Sequence, residues 1–387
     1  MNKVKIAIIG IGNMGSVHAK SIAVGNINNL ELVAVCDNDH GRIARAKEAL
    51  PAIAFFDDYK ELIKSGIIDA VLIATPHYSH SEIACFAFEH GLHVLTEKPT
   101  GVYTIQAEEM NAAAKKSGKV FGIMYNQRTS PVYRKVREMV KGGQLGQLKR
   151  FNWIITNWYR TQSYYDSGSW RATWAGEGGG VLINQCPHNL DLWQWIFGMP
   201  DKVRAFCGWG KYHNIEVEDD VTIYAEYSNG ATAVFVSSTA DCPGTNRLEI
   251  TGDRGKLVVE NGIINFWELS VPEREYCFSA AGAFSTPEIT HSQIAVDGKE
   301  TAHNGILQNF TNAILFGEEL IAPGEEGING LTISNAAYLS DWLSQTVSLP
   351  IDKVLFYDKL KERISQSKAK KSANSVVYSL QGSFNNQ

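Results

Sequence analysis

Three consecutive glycines, Gly178 to Gly180, lead into a stretch carrying Asn184, His188 and Asp191, spaced by four and then by three. That spacing is the repeat of one helical face, yet Leu190, Leu192, Trp193, Trp195, Ile196 and Phe197 make the same segment apolar. A polar stripe on such a helix has two readings. It is either a place where chemistry is done or an N-cap asparagine, a satisfied core histidine and an aspartate in an ion pair. Pro187 is tolerated only in a first helical turn, so Asn184 can be the N-cap and not a full member of the stripe.

A second pattern is Gly10-Ile11-Gly12-Asn13-Met14-Gly15, a G-x-G-x-x-G. Its first glycine permits a tight turn, its second lets the backbone approach a pyrophosphate, and its third lets the following helix pack on the preceding strand. Alone the pattern is weak. Here an apolar run precedes it, a helical run follows, and Asp37 closes the next strand, where a carboxylate accepts from both ribose hydroxyls and repels a 2′-phosphate. NAD is therefore expected over NADP, although nearby Arg42 could pair a phosphate.

The elements that must position these groups follow from periodicity. Residues 4–10, 30–37, 52–56, 69–75, 93–99 and 119–125 read as strands separated by helices, with the continuous apolar runs of a parallel sheet buried on both faces. This implies a doubly wound α/β domain over residues 1–127. Segments 149–159, 202–210, 220–228, 231–239 and 246–252 alternate polar and apolar residues without intervening helices. They imply an α+β domain over 128–365 with a large, mostly antiparallel, open-faced sheet. Helices are expected at 131–146, 304–317 and 333–347, and a polar tail at 366–387.

Taken with "ATPHYSH" (74–80), "TEKP" (96–99), "GGQLGQ" (142–147) and "NAAYLSDWL" (335–343), these motifs stand in the order found in the glucose-fructose oxidoreductase, inositol dehydrogenase and MocA family, which the chain resembles over nearly its whole length. The resemblance implies an NAD-dependent dehydrogenase acting on a secondary hydroxyl of a sugar, sugar derivative or cyclitol. It assigns Lys98 to the active site, where an ammonium polarises the hydroxyl oxygen, and His188 to general acid/base work. The family motif usually reads G-G-G-x-L-x-D-x-G-x-H-x-x-D, whereas this chain has Asn184 and Cys186 at its Asp and second small position. An amide can orient but cannot relay a proton, so Asn184 is expected to bind substrate or to hold the imidazole in one tautomer; Asp191 braces the helix or the histidine. The cofactor set implied is Gly10, Gly12, Asn13, Met14, Gly15, Asp37, Thr75, Pro76, His80, Glu97 and Lys98. Candidate substrate ligands are Asn126, Arg128, Arg171, Trp174, Asn184 and His188, since aromatics stack on sugar C–H faces while polar groups pair hydroxyls. Two alternatives stay open: a glycoside-processing enzyme that uses tightly bound NAD for transient oxidation, and a non-catalytic nucleotide-binding regulator.

Composition bounds the rest. Lys+Arg 36 against Asp+Glu 41, with no long basic run, argues against nucleic acid or membrane as a partner. Six scattered cysteines without C-x-x-C spacing suit a reduced, cytoplasmic protein. His77 and His80 lack the accompanying carboxylate or cysteine spacing of a metal site, and no metal is expected. Trp153 and Ile155 on one face of their strand, against Ile154 on the other, predict a homodimer or homotetramer through the second sheet.

Overall fold

The structure is a computed structural model that describes residues 3–368; the tail beyond Lys368 lies outside the described residues. Val4–Ile9 (β1), Leu30–Cys36 (β2), Ala54–Phe56 (β3), Ala70–Ile73 (β4), His93–Thr96 (β5) and Phe121–Ile123 (β6) form one sheet in the order β3-β2-β1-β4-β5-β6. Every neighbouring pair is parallel. All four residues of β4 are buried, which only a sheet covered on both faces requires. Strand order reverses between β1 and β4, and beyond the carboxyl ends of strands at such a reversal is where doubly wound sheets hold their ligands.

The second sheet comprises Leu148–Ile155 (β7), Lys202–Trp209 (β8), Glu218–Glu226 (β9), Thr232–Ser238 (β10), Asn246–Gly252 (β11), Gly255–Glu260 (β12), Ile263–Leu269 (β13), Ile289–Ile294 (β14) and Val347–Ser348 (β15). Their order is β14-β13-β12-β11-β7-β10-β9-β8-β15. Only the β7–β10 pair is parallel. The strands expected from periodicity stop at Gly252, but the sheet continues through β12 to β14. Asn261 and Gly262, both with positive φ, make the tight turn between β12 and β13, a hairpin signal that was legible in the sequence.

One face of this sheet is covered by the helices Pro131–Lys141, Pro187–Phe197 and Gly327–Leu343, around fully buried Trp153, Trp193 and Phe235. Phe235 sits 5.8 Å from Trp193 and 6.2 Å from Trp153, ring to ring. The last of those helices begins at Gly327, earlier than the expected residue 333, because its glycines are packing sites and not a loop. A Cβ on Gly330 would lie 3.3 Å from the backbone nitrogen of Asp191, so glycine lets the two helices approach closely. The helix Ala302–Phe316 returns to the first domain, where Ile306, Leu307 and Phe310 share a core with Ile6 and Ile8 of β1. The chain thus crosses back over the expected border at 127 and 128. Among the described residues no helix is long and apolar enough to cross a membrane.

The domains are latched at Arg128, in the short 3-10 helix Asn126–Thr129. Arg128 Nε and Nη2 donate to the two oxygens of Asp191 at 2.8 and 2.6 Å, while Nη1 reaches the Ile321 carbonyl at 3.2 Å and Glu326 at 2.7 Å. The arginine is 1% exposed, and its fork is used up by the protein. Arg128 is therefore not the substrate ligand expected from the sequence, and Asp191 braces this arginine and not His188. Removing one member of a buried pair strands the other charge. Asp191→Ala is expected to lower unfolding free energy by about 3–5 kcal/mol, measured by denaturant titration. Asp191→Leu combined with Arg128→Met should cost far less than the single change.

Candidate active site

The crevice floor is the turn after β1. Gly10 has φ +89°, and a Cβ there would sit 2.7 Å from the Ala74 carbonyl oxygen, so the first glycine is sterically required. A Cβ on Gly12 would meet nothing nearer than Arg42 at 4.0 Å, which leaves that backbone open to a ligand. Gly12 caps the helix Asn13–Ala23 without any side-chain bond, and Asn13 and Met14 form its first turn. A helix N-terminus with free N–H groups suits a pyrophosphate. Asp37 closes the site: its carboxylate accepts from Ile11 N and Asp39 N at 2.9 Å each, and Arg42 Nη1 lies 3.3 Å from it. These residues fit the adenosine ribose and pyrophosphate of NAD.

After β4, Thr75 and Pro76 reach the crevice rim, with Pro76 exposed. His80 lies beneath them, fully buried, with Nδ1 2.8 Å from the Pro99 carbonyl and Nε2 2.8 Å from the Thr75 carbonyl. It braces two loops against each other instead of reaching a cofactor. Burial pushes its pKa down. His77 Nδ1 donates to the Glu177 carbonyl at 3.0 Å, and burial holds it well below the usual imidazole range.

After β5 stand Glu97 and Lys98. Glu97 is buried, with Oε1 2.6 Å from His18 Nε2. Burial alone would raise its carboxyl, but the His18 bond and charge, helped by His303 and Lys98, hold it down to about 2. Glu97 thus ties the first helix to the end of β5. Lys98 Nζ donates to the backbone carbonyl of Asn184 at 2.6 Å, across the domain junction. Burial lowers its pKa, Glu97 and Glu177 draw it back up, and Arg171 and Arg160 push it down again.

Asn184 ends the short helix Val181–Asn184, and Cys186, not Asn184, is the N-cap of Pro187–Phe197. The stripe is therefore broken. Asn184 Nδ2 donates to Glu177 Oε1, so the amide neither holds the imidazole nor points along the histidine's face. His188 is buried, edge-on to Tyr125 at 6.2 Å, and its Nδ1 has no hydrogen-bond partner. Burial, and then Lys98, hold it well below the usual imidazole range, which favours the neutral ring.

Of the remaining expected ligands, Asn126 is buried near the junction with an unpartnered Oδ1. Arg171 lies between the rings of Tyr164 and Trp170, 4.5 and 4.6 Å away, and donates to Tyr164 Oη at 2.7 Å. Trp174 is not brought to the site; it is buried among Trp209, Tyr338 and Trp342, because the chain turns between Arg171 and Trp174. Two carboxylates were not expected from the sequence. Glu177 immediately precedes the three glycines, a position that could have flagged it. Glu218 sits in an acidic run that reads as surface, yet it is fully buried and accepts from Gly180 N, Leu182 N and Tyr338 Oη at 2.9, 2.8 and 2.6 Å. Burial pushes its carboxyl up to about 7 against those bonds.

Known proteins share this architecture. Residues 4–125 match the oxidoreductase family with an NAD-binding Rossmann fold, and residues 133–258 match the GFO/IDH/MocA C-terminal domain. The D-glucoside 3-dehydrogenase of Escherichia coli K12 is 32% identical over 353 residues, 84% of this chain and 91% of that protein. The scyllo-inositol 2-dehydrogenase (NAD(+)) of Bacillus subtilis 168 is 26% identical over 268 residues, 67% of this chain and 74% of its own. The crystal structure of the WlbA dehydrogenase from Chromobacterium violaceum, in complex with NADH and UDP-GlcNAcA, superposes with a TM-score of 0.78 at 26% identity, covering 91% of this chain and 97% of that one.

The Glu97–His18 pair predicts an acid limb of stability. A carboxyl lowered from 4.5 to about 2 stabilises the fold fully above pH 4.5 and loses that contribution as pH falls towards about 2. Thermal midpoints measured across that range should fall steeply for the native protein and more shallowly for Glu97→Gln.

Proposed function

Because the chain belongs to the GFO/IDH/MocA family of NAD-binding oxidoreductases, we propose that it oxidises a secondary hydroxyl of a sugar, sugar derivative or cyclitol. A glucoside C3 hydroxyl is the first candidate, suggested by the E. coli relative's activity. The observation that carries this reading is the bond from Lys98, at the strand end, to the Asn184 carbonyl, four residues before His188, a buried histidine that feels the lysine's charge and whose Nδ1 has no partner.

Bound NAD would supply the hydride acceptor. His188 takes the hydroxyl proton, the general-base role open to a neutral imidazole. Lys98 commits one of its three N–H donors to Asn184 and turns the others to the substrate oxygen, stabilising the charge that builds there. Arg171, between its two aromatic rings, offers further donors at the rim. Hydrogen bonds from buried polar groups give discrimination that an apolar pocket lacks. The free state of all six cysteines supports a cytoplasmic setting.

The outer face of the second sheet supports a homo-oligomer. Ile154 pairs with Val236 across β7 and β10, and Phe206 of β8 lies two strands further along the same row. Ile154, Tyr224 and Phe206 are 41, 40 and 58% exposed, an apolar patch that a second copy would cover. Phe206→Glu with Ile154→Glu should convert a dimer or tetramer to monomer in light scattering; a native protein already monomeric overturns the assembly.

Activity is tested by NADH absorbance with NAD⁺ and a panel of glucosides, free sugars and inositols. His188→Gln is expected to lower kcat by about 10²- to 10⁴-fold and Lys98→Met by about 10²-fold or more, both with the fold intact. Full activity in either variant overturns the assigned roles. Tight NAD retention without NADH release would instead favour transient oxidation.

A further inference from the structure

Glu177 is 2% exposed and lies where three parts of the site converge. One carboxylate oxygen accepts from Asn184 Nδ2, and Arg171 Nη1 stands 3.9 Å from the same oxygen. The other accepts from Ala172 N at 2.5 Å, and the Glu177 backbone carbonyl accepts from His77. The glycines on its C-terminal side fix its position. Gly178 has φ +82° and lies against Val102, and a Cβ on Gly180 would collide with the Glu218 carbonyl. The loop can therefore take only one path.

We infer that Glu177 is a positioning residue of the active site, whose carboxylate fixes Asn184, the group that holds Lys98, and supplies the countercharge between Lys98 and Arg171. This rests on the dehydrogenase reading. A carboxylate cannot donate, so its partner at position 184 must, and an amide does so where an aspartate would set two carboxylates in contact. Asn184 is thus complementary to Glu177, and the acidic group of this face sits at 177 instead of 184. The amide bond then pins the end of the short helix whose backbone carbonyl receives Lys98.

The need for a countercharge comes from the surroundings. Arg171 faces Lys98 from the loop that carries Glu177, and Arg160 from the segment after β7. His188, from its helix, and His303, from Ala302–Phe316, both sense the lysine, as do His77 and His80. Against these cationic or neutral groups stand Glu97, already paired with His18, and Glu177, whose carboxyl burial pushes up while Arg171, Ala172 N, Asn184 and Lys98 draw it back down. Loss of the Glu177 charge leaves two arginines opposing an ammonium that must stay protonated to hold the substrate oxygen.

The test compares Glu177→Gln, Asn184→Asp and the double swap Glu177→Gln/Asn184→Asp. In the swap, the glutamine can donate to the new carboxylate at position 184 and still accept from Ala172 N, so bond and charge both return. With the substrate found by the NADH assay, Glu177→Gln should move the alkaline limb of kcat to lower pH by about one unit, with KM little changed. Asn184→Asp should lose at least about tenfold in kcat, and the swap should recover most of both losses. The pairing is also read without substrate, by denaturant unfolding: Asn184→Asp should be destabilised and the swap restored. A Glu177→Gln pH profile that overlays the native one, or a swap no better than the sum of its parts in unfolding, overturns the inference. If the native protein turns over no sugar, the unfolding cycle alone decides the pairing, and the dehydrogenase reading fails separately.

Discussion

The buried ion pair of Arg128 and Asp191 is the interaction on which the rest of the arrangement depends. It ties the end of the first sheet to the helix that carries His188, and so holds the histidine opposite the strand end that carries Lys98. Such a pair loses the solvation of both charges, and only good geometry with further bonds offsets that loss. Both conditions are met here. The contact is bidentate, Gln194 donates to Asp191 at 3.0 Å, and Glu326 and a carbonyl complete the arginine. What the pair contributes is registry more than stability, because a point contact between two rigid elements sets their relative height.

From that junction the site is organised by a small number of buried carboxyl groups, each assigned a neighbour. Glu97 answers His18, Glu177 answers Arg171 and Lys98, and Glu218 answers backbone N–H groups at the start of the short helix before His188. The same burial that makes unpaired charge costly keeps His188 neutral and makes each remaining ion felt over several ångströms. The lysine and the histidine therefore share one electrostatic field and cannot be treated as separate devices.

Asp37 and Trp174 differ in how far their roles reach along the chain. Asp37 was legible because its role is local: it ends a strand whose register with β1 places it beside the glycine turn, as any carboxylate there would be. Trp174 has the right chemistry for a sugar face, but three residues of chain turn it into the aromatic core with Trp342. Arg128 is similar. Its charge suggested a ligand, and only the fold revealed that Asp191 already occupied it.

The sequence by itself determined the alternation of buried parallel strands and helices, the glycine turn and the carboxylate after β2, because these follow from periodicity and from residue types at short spacings, whereas Lys98 and His188 were singled out only by resemblance to a family. Only the tertiary structure decided that the Asn184, His188 and Asp191 stripe is broken at Cys186, that Asn184 answers Glu177, that Glu218 lies under the glycines, and that the Ala302–Phe316 helix completes the first domain. The partner of a buried polar group is set by which distant segment packs over it, and contact between segments that lie far apart in the chain leaves no periodic trace.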